Sequence, residues 1–509
     1  LVTLAATAVG IVALLVVDST QTGSHRYRGS CRGTGSATAP AEADHRHRRR
    51  HHPDLTRADP VGEDGAMTSP TPSDRPSYAP DAEVVELCSD LIRIDTTNYG
   101  NGKSNGERVA AEYVAAKLDE VGIESTIYES EPGRATLVAH WDGEDQSADP
   151  LLVHGHLDVV PADPKDWKVD PFAGEIFDGC VWGRGAVDMK DFDAMVLSVV
   201  RARQRAGAKP RRPVRLVFTA DEEAGGVYGA QWLINNHPDT VADCTEGIGE
   251  VGGFSITVKD DLRLYLIETA EKGMNWMRLK ARGTAGHGSM VNTDNAVTNL
   301  VEAVTRIGGH EWPLRVTPTV REFLKTLEDV LEVELDPDDM TATLAKLGSF
   351  SRMFGATIRN TSNPTMLNAG YKVNVIPGDA EAHIDGRFLP GYEDEFFATI
   401  DELLGDKVQR ETVVQDIALE TEFSGGLVEA MKACLAAEDP QSRTAPLLMS
   451  GGTDAKSWSR LGVRCFGFVP LQLPPDLDFI GMFHGIDERV PTSALEFGSR
   501  VLDQFFTKA

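Results

Sequence analysis

Four short motifs in this chain bring acidic and imidazole side chains together at spacings that suit metal chemistry. The first is HGHLD, which puts His156 and Asp158 two residues apart at the end of an apolar run. Side chains at i and i+2 share one face of a strand. A metal-binding imidazole needs a carboxylate or carbonyl near its other nitrogen, and His-x-Asp can supply one. His154 reads as an ordinary core histidine. The second motif is GRGAVDMKD, residues 183–191. Gly183 and Gly185 permit close backbone approach. Asp188 stands just before an amphipathic stretch, where a carboxylate can bridge two cations about 3.5–4 Å apart or cap a helix. The third is TADEEAGG, residues 219–226. Adjacent carboxylates closing a buried apolar strand are costly unless positive charge sits between them. In an extended chain Glu222 and Glu223 point to opposite sides, so one can bind a cation while the other serves as general base. An exposed acidic turn is the alternative, and Asp221 reads as a surface or outer-layer residue. The fourth is GIGEVGG, with Glu250 among glycines, and MFHGIDERVP adds a late imidazole, His484. Oxygen and imidazole donors together suit zinc, with cobalt or manganese as alternatives.

Such residues must be positioned by a scaffold, and the apolar pattern describes one. Ala79 to Gly100 reads as a helix and a loop, and Glu107–Gly122 as a helix ending at Gly. Residues 135–141, 150–160 and 214–223 read as strands, the second apolar enough to be buried on both faces. Phe192, Met195, Val196, Val199 and Val200 mark one helical face. This alternation predicts an α/β fold with a mostly parallel sheet and helices on both faces. Ligands gather at the carboxyl ends of such strands, where the four motifs lie. From about Leu266 a βαββαβ-like order follows, interrupted by an irregular stretch, 308–370, whose acidic run DVLEVELDPDDM reads as a solvated face. The C-terminal part returns to helix at 426–436 and ends in a Gly-rich turn, strands and a final helix.

The 509 residues are too many for one ordinary core. Four segments are expected: an extension over 1–78, a first catalytic part over 79–268, an inserted α+β piece over 269–417, and a second catalytic part over 418–509. A net charge of −28 repels polyanions, so nucleic acid is excluded as a partner. The six cysteines are scattered without C-x-x-C spacing, which speaks against a disulfide framework or a cysteine zinc knuckle. Residues 1–17 are apolar and precede an Arg- and His-rich tract; the first Met is Met67. Residues 1–66 are read as upstream sequence outside the native protein, which is then cytoplasmic. A membrane anchor through 1–17 is the alternative.

In this order the motifs resemble the dinuclear metallohydrolases that include aminoacylase, acetylornithine deacetylase, succinyl-diaminopimelate desuccinylase and glutamate carboxypeptidase (peptidase family M20). The likeness runs from about Ala82 to Phe506. It implies two divalent metal ions, with His156 and Glu250 mainly on opposite metals and Asp188 bridging. Glu223 and His484 would complete the shells, Asp158 would orient His156, and Glu222 would be the general acid/base. The inserted piece would be a lid or homodimerisation domain. There, His287 in GTAGHGS resembles an oxyanion-stabilising histidine often donated across the dimer. Asn374 in KVNVIP and Arg387 in DGRF resemble substrate-binding residues, although Arg387 could instead pair with Asp385. Gly452, in SGGTDAK, lies in a Gly-rich turn whose amides could hold a carboxylate. The family usually has Gly where this chain has Asp191. The implied activity is hydrolysis of a peptide or N-acyl amide bond in a small substrate with a free carboxylate, of carboxypeptidase or dipeptidase type. N-acyl-amino-acid deacylation is the alternative, and a non-catalytic binding protein on the same fold is the alternative of another class.

Overall fold

The strand–helix alternation of residues 134–249 builds a sheet with a parallel centre. The computed structural model describes residues 78–259, 262–347, 351 and 354–509. Cys31, the apolar run 1–17 and the reading of 1–66 as upstream sequence lie outside the described residues. Strand Leu151–His156 runs between Val214–Thr219 and Glu246–Gly249, parallel to both, and Arg464–Gly467 extends the parallel set. Antiparallel strands flank it: Arg134–Trp141 and Ser125–Glu131 on one side, Leu262–Glu271 and Ser255–Lys259 on the other.

All six residues of Leu151–His156 are buried, because helices cover both faces. Leu151 and Val153 enter one core together with residues of helices Val84–Ile92, Lys190–Ala206 and Thr492–Lys508. Leu152 and Val217 point the other way, to Ala230, Leu233 and Trp458 of helices Ala230–Asn236 and Ala455–Ser459. The register sets Val153 beside Ile248 and His156 beside Thr219. Strands Leu151–His156 and Val214–Thr219 therefore end level, Glu246–Gly249 stops two residues short, and the residues at these ends meet.

A second, all-antiparallel sheet has the order Thr361–Ala369, Asp379–Phe388, Gly273–Arg282, Val408–Asp416. Helices Ala296–Gly308 and Glu393–Leu404 cover one face and share a separate core with Met277, Leu279, Ile384 and Phe396. Strand Leu262–Glu271 of the large sheet leads directly into Gly273–Arg282 of the small one.

The stretch 308–370 is not irregular. It holds helices Pro318–Leu331 and Met340–Leu347. Thr317 caps the first by accepting from the Val320 amide, and Pro318 opens it. Val320, Phe323, Leu324 and Leu327 then recur at helical spacing and join the core of the large sheet, not the small one. The acidic residues between and beside these helices are exposed, apart from half-buried Glu328. All five described cysteines are free. No helix among the described residues is long and apolar enough to cross a membrane.

His154 is buried and packs on Trp458 at 5.8 Å between ring centroids. Burial pushes its imidazole down to about 3, so it is neutral. Its ring fills the space over Gly249, where a Cβ would lie 2.1 Å from the imidazole. Gly249→Ala is therefore expected to cost about 1–3 kcal/mol through overpacking. Gly426→Ala, at an open helix position with nothing within 4 Å, should instead stabilise by up to about 1 kcal/mol. Urea melts of the two variants check this pair of opposite signs.

Candidate metal centre

Three adjacent strand ends and two loops supply the charged side chains. His156 closes strand Leu151–His156, and Glu250 follows Glu246–Gly249. Glu222 and Glu223 open a 3-10 turn after Val214–Thr219. Asp188 ends the turn before helix Lys190–Ala206, and the Asp188–Met189 peptide is cis. His484 lies in the loop after the short 3-10 helix Ile480–Met482.

Asp188 is the hub. Its Oδ1 lies 3.1 Å from His156 Nε2, which is also 3.4 Å from Glu250 Oε2. Its Oδ2 lies 3.2 Å from His484 Nε2, which is 2.9 Å from Glu223 Oε2. Two clusters, each of one imidazole and two carboxylates, thus share Asp188. His156 and Glu250 stand together in one cluster, not on opposite sides as the resemblance implied. The parallel pairing of their strands brings them side by side. Glu222 Oε2 approaches His156 Nε2 to 3.9 Å, at the margin of the first cluster.

The electrostatics describe a pocket that wants positive charge. Burial and the charge of Glu250 push the Glu222 carboxyl well above its ordinary range. Burial and Asp188 raise Glu223 to about 7, and burial also raises Glu250. Burial opposes ionisation of Asp188 as well, yet hydrogen bonds from His156 and His484 hold it well below the usual carboxylate range. Hydrogen bonds to Asp188 and Glu223 lift His484 to about 10. Burial works against protonation of His156, but Glu250 and Asp188 raise it well above normal. The imidazoles here play the part that cations would play. Glu223 Oε1 is buried with no hydrogen-bond partner. A mixed nitrogen–oxygen donor set with one unpartnered carboxylate oxygen fits divalent metal ions.

Asp158 meets His156 through its main chain and leaves its carboxylate for another task. His156 Nδ1 meets the backbone carbonyl of Asp158 at 2.9 Å, whereas the nearest carboxylate oxygen is at 3.7 Å. The carboxylate instead accepts the amides of Glu222 and Glu223, at 3.0 and 3.2 Å, and an Asn98 Nδ2 hydrogen at 2.9 Å. It holds the acidic turn. That turn is not extended, so Glu222 and Glu223 diverge because of a 3-10 bend, not strand alternation. Asp221 is buried, not a surface residue. It adopts φ +67°, pairs with Arg134 at 2.7 Å and accepts from Asn98 at 3.0 Å. Arg134 also pairs with buried Glu107 at 2.9 Å. Asn98 and Arg134 carry no sequence signal, because neither belongs to a spaced motif.

The small sheet and its ribbon hold the substrate-side candidates. His287 is exposed on a two-residue strand paired with Val375–Ile376, and its Nδ1 meets Ser289 Oγ at 2.8 Å. Asn374 adjoins it; its carbonyl accepts from the Gly288 amide at 2.9 Å. Arg387 is engaged by Asp385 through Nε at 2.7 Å and Nη2 at 3.2 Å, the ion pair that was the alternative reading. Among the described residues, none of these three makes a hydrogen bond or ion pair with the two clusters. Gly452 sits over Glu271 and Lys456, and the next amide, of Thr453, donates to Glu271 Oε2 at 2.9 Å. Asp454 in the same turn is buried and accepts from Thr219 Oγ1 at 2.6 Å, which ties the turn to the strand end beside His156.

A sequence profile for Peptidase family M20/M25/M40 matches residues 152–508. The "Probable carboxypeptidase S-like 2" of Dictyostelium discoideum is 29% identical over 381 residues, 70% of this chain and 70% of the relative. The "N-fatty-acyl-amino acid synthase/hydrolase PM20D1" of Xenopus tropicalis is 27% identical over 448 residues, 83% of this chain and 84% of the relative. The solved M20 family metallo-carboxypeptidase Sso-CP2 of Sulfolobus solfataricus shares the fold, with a TM-score of 0.63 at 16% identity over 84% of this chain and 99% of that one.

Ions that bind only the folded centre stabilise it by mass action. Chelator-treated protein given Zn²⁺ or Co²⁺ at a hundred-fold excess over Kd should gain about 2.7 kcal/mol per site. Calorimetry should show the rise in Tm, and Asp188→Ala, which removes the shared ligand, should abolish it. An unshifted Tm in the unaltered protein would contradict the assignment.

Proposed function

Because the chain belongs to peptidase family M20/M25/M40, we propose that it hydrolyses a peptide or N-acyl amide bond of a small substrate at the centre around Asp188. The observation that carries this reading is the pair of clusters on the two oxygens of Asp188, with Glu222 beside them. His156, Asp188 and Glu250 would hold one divalent ion, and Asp188, Glu223 and His484 the other. The donor set suits zinc, with cobalt or manganese as alternatives.

Two divalent ions held there would supply Lewis-acid polarisation of a carbonyl and a water of lowered pKa. Glu222 then acts as the base. Its carboxylate lies at the margin of the first cluster, 3.9 Å from His156 Nε2, where a general base would stand beside a water in the centre. It carries the proton to the leaving nitrogen. Asp158 keeps Glu222 in place by holding its amide. His287 would donate to the oxyanion. It is exposed and apart from the clusters, so it must reach the site by movement of the 269–417 segment or from a second copy in a homodimer. Asn374, its neighbour on the ribbon, would contact substrate from the same direction. Arg387 uses its Nε–Nη2 edge on Asp385, which leaves the other edge for a substrate carboxylate. Gly452 lines the turn that borders this space.

Relatives of both substrate types match the chain, one named a probable carboxypeptidase and one an N-fatty-acyl-amino acid synthase/hydrolase. Turnover of N-acyl amino acids against dipeptides, measured with zinc and with cobalt, separates the two.

Glu222→Gln should still bind metal but lose turnover about 100- to 10,000-fold, the usual worth of a positioned base. Near-normal turnover would refute the assignment. If a homodimer shares His287, mixing the inactive Glu222→Gln and His287→Ala proteins should restore activity, because one site of each hybrid is then complete. Mixtures as inactive as their components would place His287 within its own chain's site or outside the chemistry.

A further inference from the structure

The two imidazoles of the centre are held in different ways. His156 lies on a core strand with its side chain 1% exposed. His484 lies in a loop with its side chain 58% exposed and its backbone at φ +56°, a conformation costly for a non-glycine residue. Such a conformation persists only where surrounding contacts over-determine it. Something other than burial must therefore keep His484 on Asp188.

The segments bearing the two ligands run side by side. Strand Arg489–Pro491 pairs antiparallel with Cys180–Trp182, and the Gly183 amide continues this ladder to the Glu488 carbonyl at 3.0 Å. Beyond the ladder two buried charges cross between the loops. Arg184 Nη1 meets Glu488 Oε2 at 2.6 Å, with side-chain exposures of 3% and 0%. Each partner also grips the other loop's backbone beside its ligand. Glu488 Oε1 accepts the amide of Val187, the residue before Asp188, at 2.7 Å. Arg184 Nη2 donates to the carbonyl of Gly485, the residue after His484, at 2.8 Å. Arg184 is itself steadied under Trp167, 5.1 Å from the ring centre.

We propose that Arg184 and Glu488 form a reciprocal clamp that sets the distance between Asp188 and His484 and so builds the second metal site. They are positioning residues and touch no substrate. The inference rests on the metal-centre reading above and adds a selective consequence to it. His156 and Glu250 are placed by strand ends, so the first site leans on the clamp only through the shared Asp188. The second site depends on it directly, because its only imidazole is loop-borne. Outer partners of metal ligands typically tune affinity by about 10–100-fold.

The test is a Co²⁺ titration of the whole chain, followed by the visible absorption of the bound ions and by metal analysis. Removing one charge leaves the other buried alone, which can prevent folding. The deciding variant therefore carries Arg184→Met with Glu488→Leu, since apolar replacement of a buried pair is often neutral for stability. The expected result is the second ion bound about 10–100-fold more weakly, with a much smaller loss at the first. In a His484→Ala background the same double change should cause no further loss at the second site, because there the clamp acts mainly through His484. Two ions at unaltered affinity, equal loss at both sites, or an additional loss at the second site in the His484→Ala background would each overturn the clamp alone. An unaltered chain that takes up no Co²⁺ would overturn the metal centre and the clamp together.

Discussion

Mutual repulsion among buried carboxylates governs the architecture of this centre. Among the described residues, Asp188, Glu222, Glu223 and Glu250 converge within reach of two imidazoles, His156 and His484. Like charges at such distances cannot all remain ionised without compensation. The fold answers with imidazoles whose proton affinity is raised, with raised carboxyl pKa values at Glu222, Glu223 and Glu250, and with one carboxylate oxygen of Glu223 left unpartnered. Two divalent cations would resolve all three at once. The charge arrangement, more than any single ligand, is what directs the site to metal chemistry.

A second layer of charge keeps the first in place. Asp158 receives the amides of the acidic turn and the Asn98 side chain; Asn98 reaches on to Asp221, and Arg134 joins Asp221 to Glu107. This chain of contacts connects helix Arg108–Asp119 and strand Arg134–Trp141 to the strand ends. Buried networks of this kind hold only when their members are satisfied, so they specify one geometry. The Arg184–Glu488 pair does the same on the other side, between two loops far apart in sequence. Core strands carry one half of the centre, and a clamped loop carries the other.

Much of this was legible in the sequence because period and punctuation agree locally. The apolar run before His156 and the acid pair after Val214–Thr219 placed donors at strand ends, and parallel pairing brought them together. Three features were hidden, each for a physical reason. The helix Pro318–Leu331 was obscured by its acidic surroundings, although Thr317, Pro318 and the spacing of Val320, Phe323, Leu324 and Leu327 encode it. The role of Asp158 depends on the 3-10 bend at Glu222, which strand logic does not foresee. Arg134, Asn98, Arg184 and Glu488 act through partners tens to hundreds of residues away, so no local spacing could pair them. His287, Asn374 and Arg387 were recognisable as residue types. Their relation to the centre depends on how the small sheet meets substrate.

The most direct measurement is an anomalous difference map from crystals grown with zinc, recorded at the metal's absorption edge. The account expects two peaks about 3.5–4 Å apart, one beside each oxygen of Asp188, the first near His156 and Glu250 and the second near Glu223 and His484. A single peak, or density remote from Asp188, would contradict it.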